Sequence, residues 1–282
     1  MPQSIYEALW IFVIYAFLGW CCEVIFAAVT VGRFVNRGFL NGPVCPIYGF
    51  GMLMTVGFLW NLRRNVILFF LAAALLTTLL EFFTGFILER FFRTKWWDYS
   101  DKPFNIKGYV CPEFTIIWGL GACLAVGAVH PFVYMAVTKF PFLPGVVILS
   151  VLAAAFIADT VITAVNLAGL TRRLNRLLEL EKGLRIISDK LGENISDTAL
   201  AAKAKGGELI EEGRPKFREI AAEYEKKKAE YKKLLESRNI VHRRILKAFP
   251  KLSEGRYRAA FERLNEIKKK TAKRKKNGKD SM

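Results

Sequence analysis

Five stretches of this 282-residue chain are apolar for long enough, or nearly so, to cross a membrane: Ile5–Val31, Pro43–Trp60, Val66–Phe92, Cys111–Val137 and Leu143–Leu170. A hydrocarbon core about 30 Å thick takes about 20 residues of helix. Inside lipid, every backbone N–H and C=O must find a partner within the protein. Together these point to an all-α, polytopic helical membrane protein with about five transmembrane helices. The second stretch is the shortest and the richest in glycine, so it is the one expected to be broken or re-entrant.

Charge divides the chain at the end of the last stretch. Residues 1–170 hold 10 of the 42 Lys and Arg and 8 of the 25 Asp and Glu, a net of +2, so residues 171–282 carry +15 of the total +17. The expected organisation is a transmembrane domain over 1–170, a basic helical hairpin or bundle over 171–270 and a disordered basic tail over 271–282. With the N-terminus outside, the inner loops hold Arg33, Arg37, Arg90, Arg93, Lys95, Lys102 and Lys107, against Arg63, Arg64 and Lys139 outside. Lys and Arg favour the cytoplasmic side, which predicts N-out, C-in. No cleavable signal is expected, because the first apolar run has no basic residue before it and is too long.

In the tail, Leu174, Leu177, Leu184, Ile187 and Leu191 recur at helical spacing. Breaks are expected at Gly192–Asp197, Gly206-Gly207 and Gly213–Pro215. A longer face follows over Phe217, Ile220, Tyr224, Tyr231, Leu234, Val241 and Ile245, interrupted near Lys227 and Lys228, which makes an imperfect coiled-coil seam. Phe249-Pro250 ends it, and Tyr257, Phe261, Leu264 and Ile267 predict one further helix.

One polar phrase in the membrane part is written twice. Asn36 to Gly51 reads NRGFLNGPVCPIYGFG, and Asn105 to Gly121 reads NIKGYVCPEFTIIWGLG. Asn36 and Gly38 match Asn105 and Gly108, Cys45-Pro46 matches Cys111-Pro112, and Gly49 and Gly51 match Gly119 and Gly121. Each copy follows an apolar run with one acid in it, Glu23 and Glu81, at different spacings. The pattern suggests an internal two-helix repeat, the first two spans duplicated by the next two. Gly- and Pro-rich turns between apolar runs can expose backbone to a cavity; they also serve simply as helix starts, with Pro at the first position.

Three acids lie inside apolar runs: Glu23, Glu81 and Asp159. Each sits two to three turns from the inner end of its span, so the three could converge. An ionised acid at mid-bilayer costs roughly 2.5–3.5 kcal/mol, so each is protonated, paired or lining a wet cavity. Arg33, Arg37, Arg90 and Arg93 can reach inward as partners. The candidate solute or ion pathway is therefore Glu23, Glu81 and Asp159 with Asn36, Asn105, Cys45 and Cys111. The alternative is a structural network of salt bridges and hydrogen bonds, which Thr163 and Asn166 could join. His130-Pro131 reads as a kink with a satisfied imidazole. Between the third and fourth spans, KWWDYS places Trp96, Trp97 and Tyr99 around Asp98. Such rings anchor at the headgroup level, or the loop is a lid whose Asp98 and Asn105 face the cavity.

No phosphate-binding loop, GxSxG or HExxH occurs, and two histidines leave no material for a zinc site. Neither catalysis, a metal nor a cofactor is expected; a lipid-handling enzyme using Asp98 is the weakest reading. The basic tail favours anionic lipid headgroups or a docking partner over nucleic acid, for which it offers no stacking platform.

The phrases LGWCCEVIF, NRGFLNGPVCPIYGFG, LLEFFTGFILERFF, WWDYS and FNIKGYVCPEFTIIWG resemble the ABC-transporter type IV permease family of bacterial membrane proteins, over about residues 5–170. HRRILKAFPKL in the tail resembles a recurrent feature of the same proteins. The resemblance implies a multi-pass protein of the bacterial cytoplasmic membrane and a permease or permease subunit moving a small solute or ion. Energy would come from a separate ATPase or an ion gradient, and further copies of the chain could assemble with it. The alternative function is a membrane-anchored scaffold or regulatory protein whose helical tail recruits a partner.

Overall fold

The computed structural model describes residues 1–92, 95–205 and 209–236. Among these residues every regular element is helical, with no strand and one isolated bridge, Ile106 to Val110. The helices are α1 (Ile5–Val31), α2 (Pro46–Phe58), α3 (Val66–Phe92), α4 (Pro112–Leu124), α5 (His130–Lys139), α6 (Phe142–Lys205) and α7 (Leu209–Glu236). A 3₁₀ turn, Trp60–Arg64, joins α2 to α3, and a π-helical turn, Ala125–Val129, joins α4 to α5. The expected helix over Tyr257–Ile267, the stop at Phe249-Pro250, the tail 271–282 and Arg93 lie outside the described residues.

The chain divides into two compact units, the first being Met1–Ala168 and the second beginning at Gly169. In the first, Ile5–Val31, Val66–Phe92 and the α4–α5 run Pro112–Lys139 are long and apolar enough to cross a membrane, as is the run that starts at Phe142. Many of their large apolar side chains face outward, Ile25, Val29, Ile67, Leu75 and Val151 among them. Outward apolar surface is what lipid, rather than water, stabilises. The protein is thus a polytopic helical membrane protein. The second apolar stretch forms only the 13 residues of α2, roughly 20 Å of helix and short of a full crossing.

Local signals set the ends of α1. The Ser4 hydroxyl accepts from the Glu7 amide at 3.2 Å, and Glu7 Oε2 accepts from the Gln3 amide at 2.8 Å, a capping-box arrangement. At the other end Gly32, at φ 69°, donates its amide to Ala28 and turns the chain out of the helix.

The two halves of the repeat fold alike. The amide of Cys45, the cap of α2, donates to Ala16 O at 2.9 Å, near the middle of α1. After α1 ends, the chain therefore runs back along about 15 residues of it, roughly 22 Å, before α2 starts. From there α2 runs antiparallel to α1, with Tyr48 over Gly19 and Gly49 over Phe12. In the second half, Thr78 donates to Thr115 at 2.8 Å, and Gly119 lies against Ala74 and Phe70. By that register, Pro112 begins α4 at the level of Glu81. Both Cys-Pro pairs are thus helix starts level with the middle part of a neighbouring helix, with the two cysteines buried. Gly49 and Gly119 do the same work, bringing backbone against a neighbouring helix as small residues do in membrane interfaces. Gly119 lies one turn further into its helix than Gly49 does, so the two copies differ in the spacing from Cys-Pro to glycine.

Where α2, α3 and the α4–α5 run meet α1, Ile11, Tyr15, Met52, Val56, Phe69, Ala73 and Val126 form the buried apolar core. His130 is fully buried beside it, with Tyr15 Oη 3.5 Å from Nδ1, while Nε2 makes no hydrogen bond. The imidazole is therefore only half satisfied. The kink expected at His130-Pro131 takes the form of the π-helical turn just before it, which absorbs the amide that proline lacks.

In the second unit, Leu174, Leu177, Leu180 and Ile187 of α6 are buried, as are Tyr231 and Leu235 of α7. The two segments run antiparallel: Arg173 donates to the Leu234 carbonyl, and Arg176 pairs with Glu230 at 2.8 Å. The break expected at Gly192–Asp197 does not occur, since α6 continues to Lys205. One glycine costs a helix about 1 kcal/mol, less than the cost of nucleating a new one. Gly213 and Pro215 likewise lie within α7.

Candidate functional site

In both returning loops an Asn side chain bonds backbone groups of its own loop. In the first, Asn36 Oδ1 accepts from Trp20 Nε1 at 2.9 Å and from the Gly38 amide at 3.0 Å, and its Nδ2 donates to Asn41 O at 2.9 Å. In the second, Asn105 Oδ1 accepts from the Gly108 amide at 3.0 Å, and Nδ2 donates to Lys102 O at 2.8 Å. In both loops the repeated Asn thus accepts from the amide of the repeated Gly, two residues on in the first and three residues on in the second. Cys45 and Cys111 are buried caps of α2 and α4 without a side-chain capping bond.

Gly108 is the strictest position in the second loop. Its φ is 74°, and a β-carbon there would stand 2.2 Å from Asp98 Oδ1 and 2.6 Å from Ser100 Oγ. Asp98 is already engaged: it accepts from the Ser100 amide at 3.0 Å and from the Ser100 hydroxyl, with Lys95 Nζ 3.5 Å away. Burial works against its charge, but the Ser100 and Lys95 interactions prevail and hold the carboxyl below the usual range. Gly108→Ala is expected to destabilise the loop by about 2–3 kcal/mol, from left-handed strain and the displaced Asp98 bonds. Faster tryptic cleavage after Lys107 would register it.

Between the two loops, the start of α2, the second half of α3 and Trp118 of α4 lies a cavity of about 470 Å³. Glu23 of α1 and Glu81 of α3 both stand in its wall, with Arg37 and Cys45 of the first loop region and Trp96, Trp97 and Tyr99 of the second. α6 contributes Phe156 and Thr160. Glu23 Oε1 accepts from the Tyr48 hydroxyl at 2.9 Å, and its Oε2 lies 3.8 Å from Arg37 Nε. Glu81 Oε1 accepts from the Tyr99 hydroxyl at 3.1 Å. Its Oε2 is buried and makes no hydrogen bond of standard geometry, although the Trp118 indole stands beside the carboxyl. Glu81 is only 6% exposed and has no ion-pair partner among the described residues.

The third acid is placed differently. Asp159 Oδ1 accepts from the Asn41 amide at 3.1 Å, Asn41 Nδ2 at 2.8 Å and Thr163 Oγ1 at 3.2 Å; Oδ2 accepts from the Gly42 amide at 2.7 Å. It ties the first loop to α6 and is not in the cavity wall. Neither Asn36, Asn105 nor Asp98 lines the cavity, and Cys111 does not either, whereas Cys45 does. The aromatic loop divides too. Trp96 is buried against Phe39 and Phe92, Trp97 donates to Tyr109 O at 2.9 Å, and Tyr99 stacks on Phe114 at 4.5 Å. Its rings face the cavity region while Asp98 braces the loop.

Two wall residues were not singled out in the sequence, Tyr48 and Trp118. Their rings meet edge to face, with centroids 5.6 Å apart at 84°. A signal was present: each is the residue just before the repeated glycine, Tyr48-Gly49 and Trp118-Gly119. No group of three or more His, Cys, Asp or Glu able to hold a metal occurs among the described residues.

Comparison with known proteins gives one family. The profile of a family described as putative ABC-transporter type IV matches residues 10–164, a span that contains both repeats, both cavity acids and Asp159. No solved structure matches the chain.

Proposed function

The chain belongs to the ABC-transporter type IV family, and we propose that it is a membrane permease or permease subunit whose solute or ion site is the cavity between Glu23 and Glu81. The observation that carries this is the joint placement of both acids in one wall beside the start of α2, with Glu81 at the level where α4 begins. Half-depth helix starts around a cavity are how membrane carriers expose polar backbone to a passenger. Intramembrane acids that line a cavity are the usual marks of a pathway.

On this reading the site lies between mid-bundle and the C-terminal ends of α1 and α3, the side that the excess of Lys and Arg in the loops favours as cytoplasmic, N-out and C-in, in a bacterial cytoplasmic membrane. Energy is supplied by a separate ATPase or an ion gradient, since the chain has no phosphate-binding loop. The basic segment after Ala168 is the part suited to anionic headgroups or to a docking subunit.

The test is uptake of a solute panel into proteoliposomes holding the full chain, compared with Glu23→Gln, Glu81→Gln and Asp159→Asn. Glu81→Gln is expected to fold normally and lower uptake at least about tenfold, as loss of one charged contact of about 1.4 kcal/mol or more does. Glu23→Gln is expected to lose less, because Tyr48 can still donate to its amide oxygen. Uptake by the parent no faster than leakage into empty vesicles, together with loss of the cellular phenotype on deletion of 171–282, would leave a scaffold instead.

A further inference from the structure

We infer that the ligand of this cavity is a small organic cation, of the alkylammonium class; the inference rests on the reading of the cavity as a solute site. Three side chains in the wall are formally charged, Glu23, Glu81 and Arg37. Arg37 is spent on Glu23, at 3.8 Å. Among the described residues Glu81 has no ion-pair partner, is only 6% exposed, and keeps one oxygen without a hydrogen bond of standard geometry. When Glu81 is ionised the wall carries one uncompensated negative charge, and a bound cation neutralises it.

The rest of the wall selects the kind of cation. Eight of its 20 residues are aromatic, including Tyr48, Trp96, Trp97, Tyr99 and Trp118. Ring faces attract a cation electrostatically, tryptophan most strongly, and such cages are the recurrent site of alkylated ammonium groups. Tyr48 and Trp118 stand at nearly a right angle, which makes a corner of two differently oriented rings, with the Tyr48 hydroxyl on Glu23 and the Trp118 indole beside Glu81. A bare Ca²⁺ would ask for six to eight oxygen ligands, more than two carboxylates and two phenols provide. An anion would meet two carboxylates and one guanidinium already engaged. The cavity's 470 Å³ falls within the range of about 300–1,000 Å³ typical of small-molecule sites.

The probe is choline chloride, titrated into the purified full chain in detergent and read by tryptophan fluorescence, since Trp96, Trp97 and Trp118 line the cavity. Its neutral isostere 3,3-dimethyl-1-butanol and sodium chloride are the comparisons. A saturable response to choline is expected, weaker by about tenfold or more for the isostere, and absent for sodium chloride. Glu81→Gln and Trp118→Leu are each expected to weaken choline by about tenfold or more. Glu89→Gln, whose carboxylate accepts from Tyr109 outside the cavity, is expected to leave it unchanged. Equal binding of choline and the isostere, no saturable choline response, or a Glu81→Gln protein that binds as the parent does would overturn the inference. The two readings fail separately. Glu81-dependent uptake of a neutral or anionic solute without choline binding removes the cation class and keeps the permease. Choline binding without Glu81-dependent flux keeps the site and removes the permease.

Discussion

Replacing Asp159 with alanine is expected to lower the stability of the folded protein by about 3 kcal/mol while sparing ligand binding in the fraction that folds. The carboxylate accepts two backbone amides, from Asn41 and Gly42, and the Asn41 carboxamide, all from a loop more than a hundred residues away. Hydrogen bonds to a charged group contribute roughly 1.5–3 kcal/mol each and do not sum when they share one acceptor. Removing that acceptor leaves several donors without partners where the loop returns into the bundle. Asp159→Asn keeps one acceptor oxygen and should lose less. Thermal unfolding of the two variants beside Glu81→Gln checks this, because the Glu81 variant should show the reverse pattern: normal stability and lost binding. If Asp159→Ala melts with the parent yet abolishes uptake, Asp159 belongs to the pathway after all.

Gly49→Ala should be nearly as damaging, for a packing reason. A β-carbon at Gly49 would lie 2.6 Å from the Phe12 ring and 2.7 Å from the Phe12 carbonyl oxygen. The ring could swing, but the carbonyl belongs to the α1 backbone, so the helices must part. Overpacking of this kind costs about 1–3 kcal/mol, occasionally more. Gly121→Ala supplies the contrast, since nothing lies within 4 Å of a β-carbon there. In that open position alanine should be neutral or stabilise α4 by up to about 1 kcal/mol, its advantage over glycine within a helix. Opposite signs for two glycines of the same repeated phrase, measured by thermal unfolding, would confirm that close approach and not composition sets their roles. A Gly49→Ala protein as stable as the parent would refute the tight α1–α2 contact.

Those two positions also mark how far the sequence alone could be read. Hydropathy located α1 and α3 to the residue, because in lipid a run of apolar side chains is nearly the whole signal. The repeated Cys-Pro was legible as a pair of helix starts, since proline tolerates the first helical position. Depth was not legible: the hydrogen bond from Cys45 to Ala16, which puts α2 at mid-bundle, joins segments that no local pattern connects. The acids show the same limit. Glu23, Glu81 and Asp159 look alike as single charges in apolar runs, yet two share a cavity and one binds backbone amides. Tyr48 and Trp118 went unremarked because aromatic residues in a span are ordinarily packing; only their shared place before the repeated glycine set them apart. In the second unit, Gly192 looked like a break because composition does not reveal the helix on either side of it.

The brevity of α2 bears on how the protein is made. Its 13 residues are too few to be retained by a translocon as an independent segment, and on their own would slip through or stay in the aqueous vestibule. Biogenesis must therefore hold α1 beside the exit site until the Cys45 turn and α2 emerge and clasp it as a hairpin. Order of synthesis, with α1 first and its short partner immediately after, becomes part of what this architecture requires.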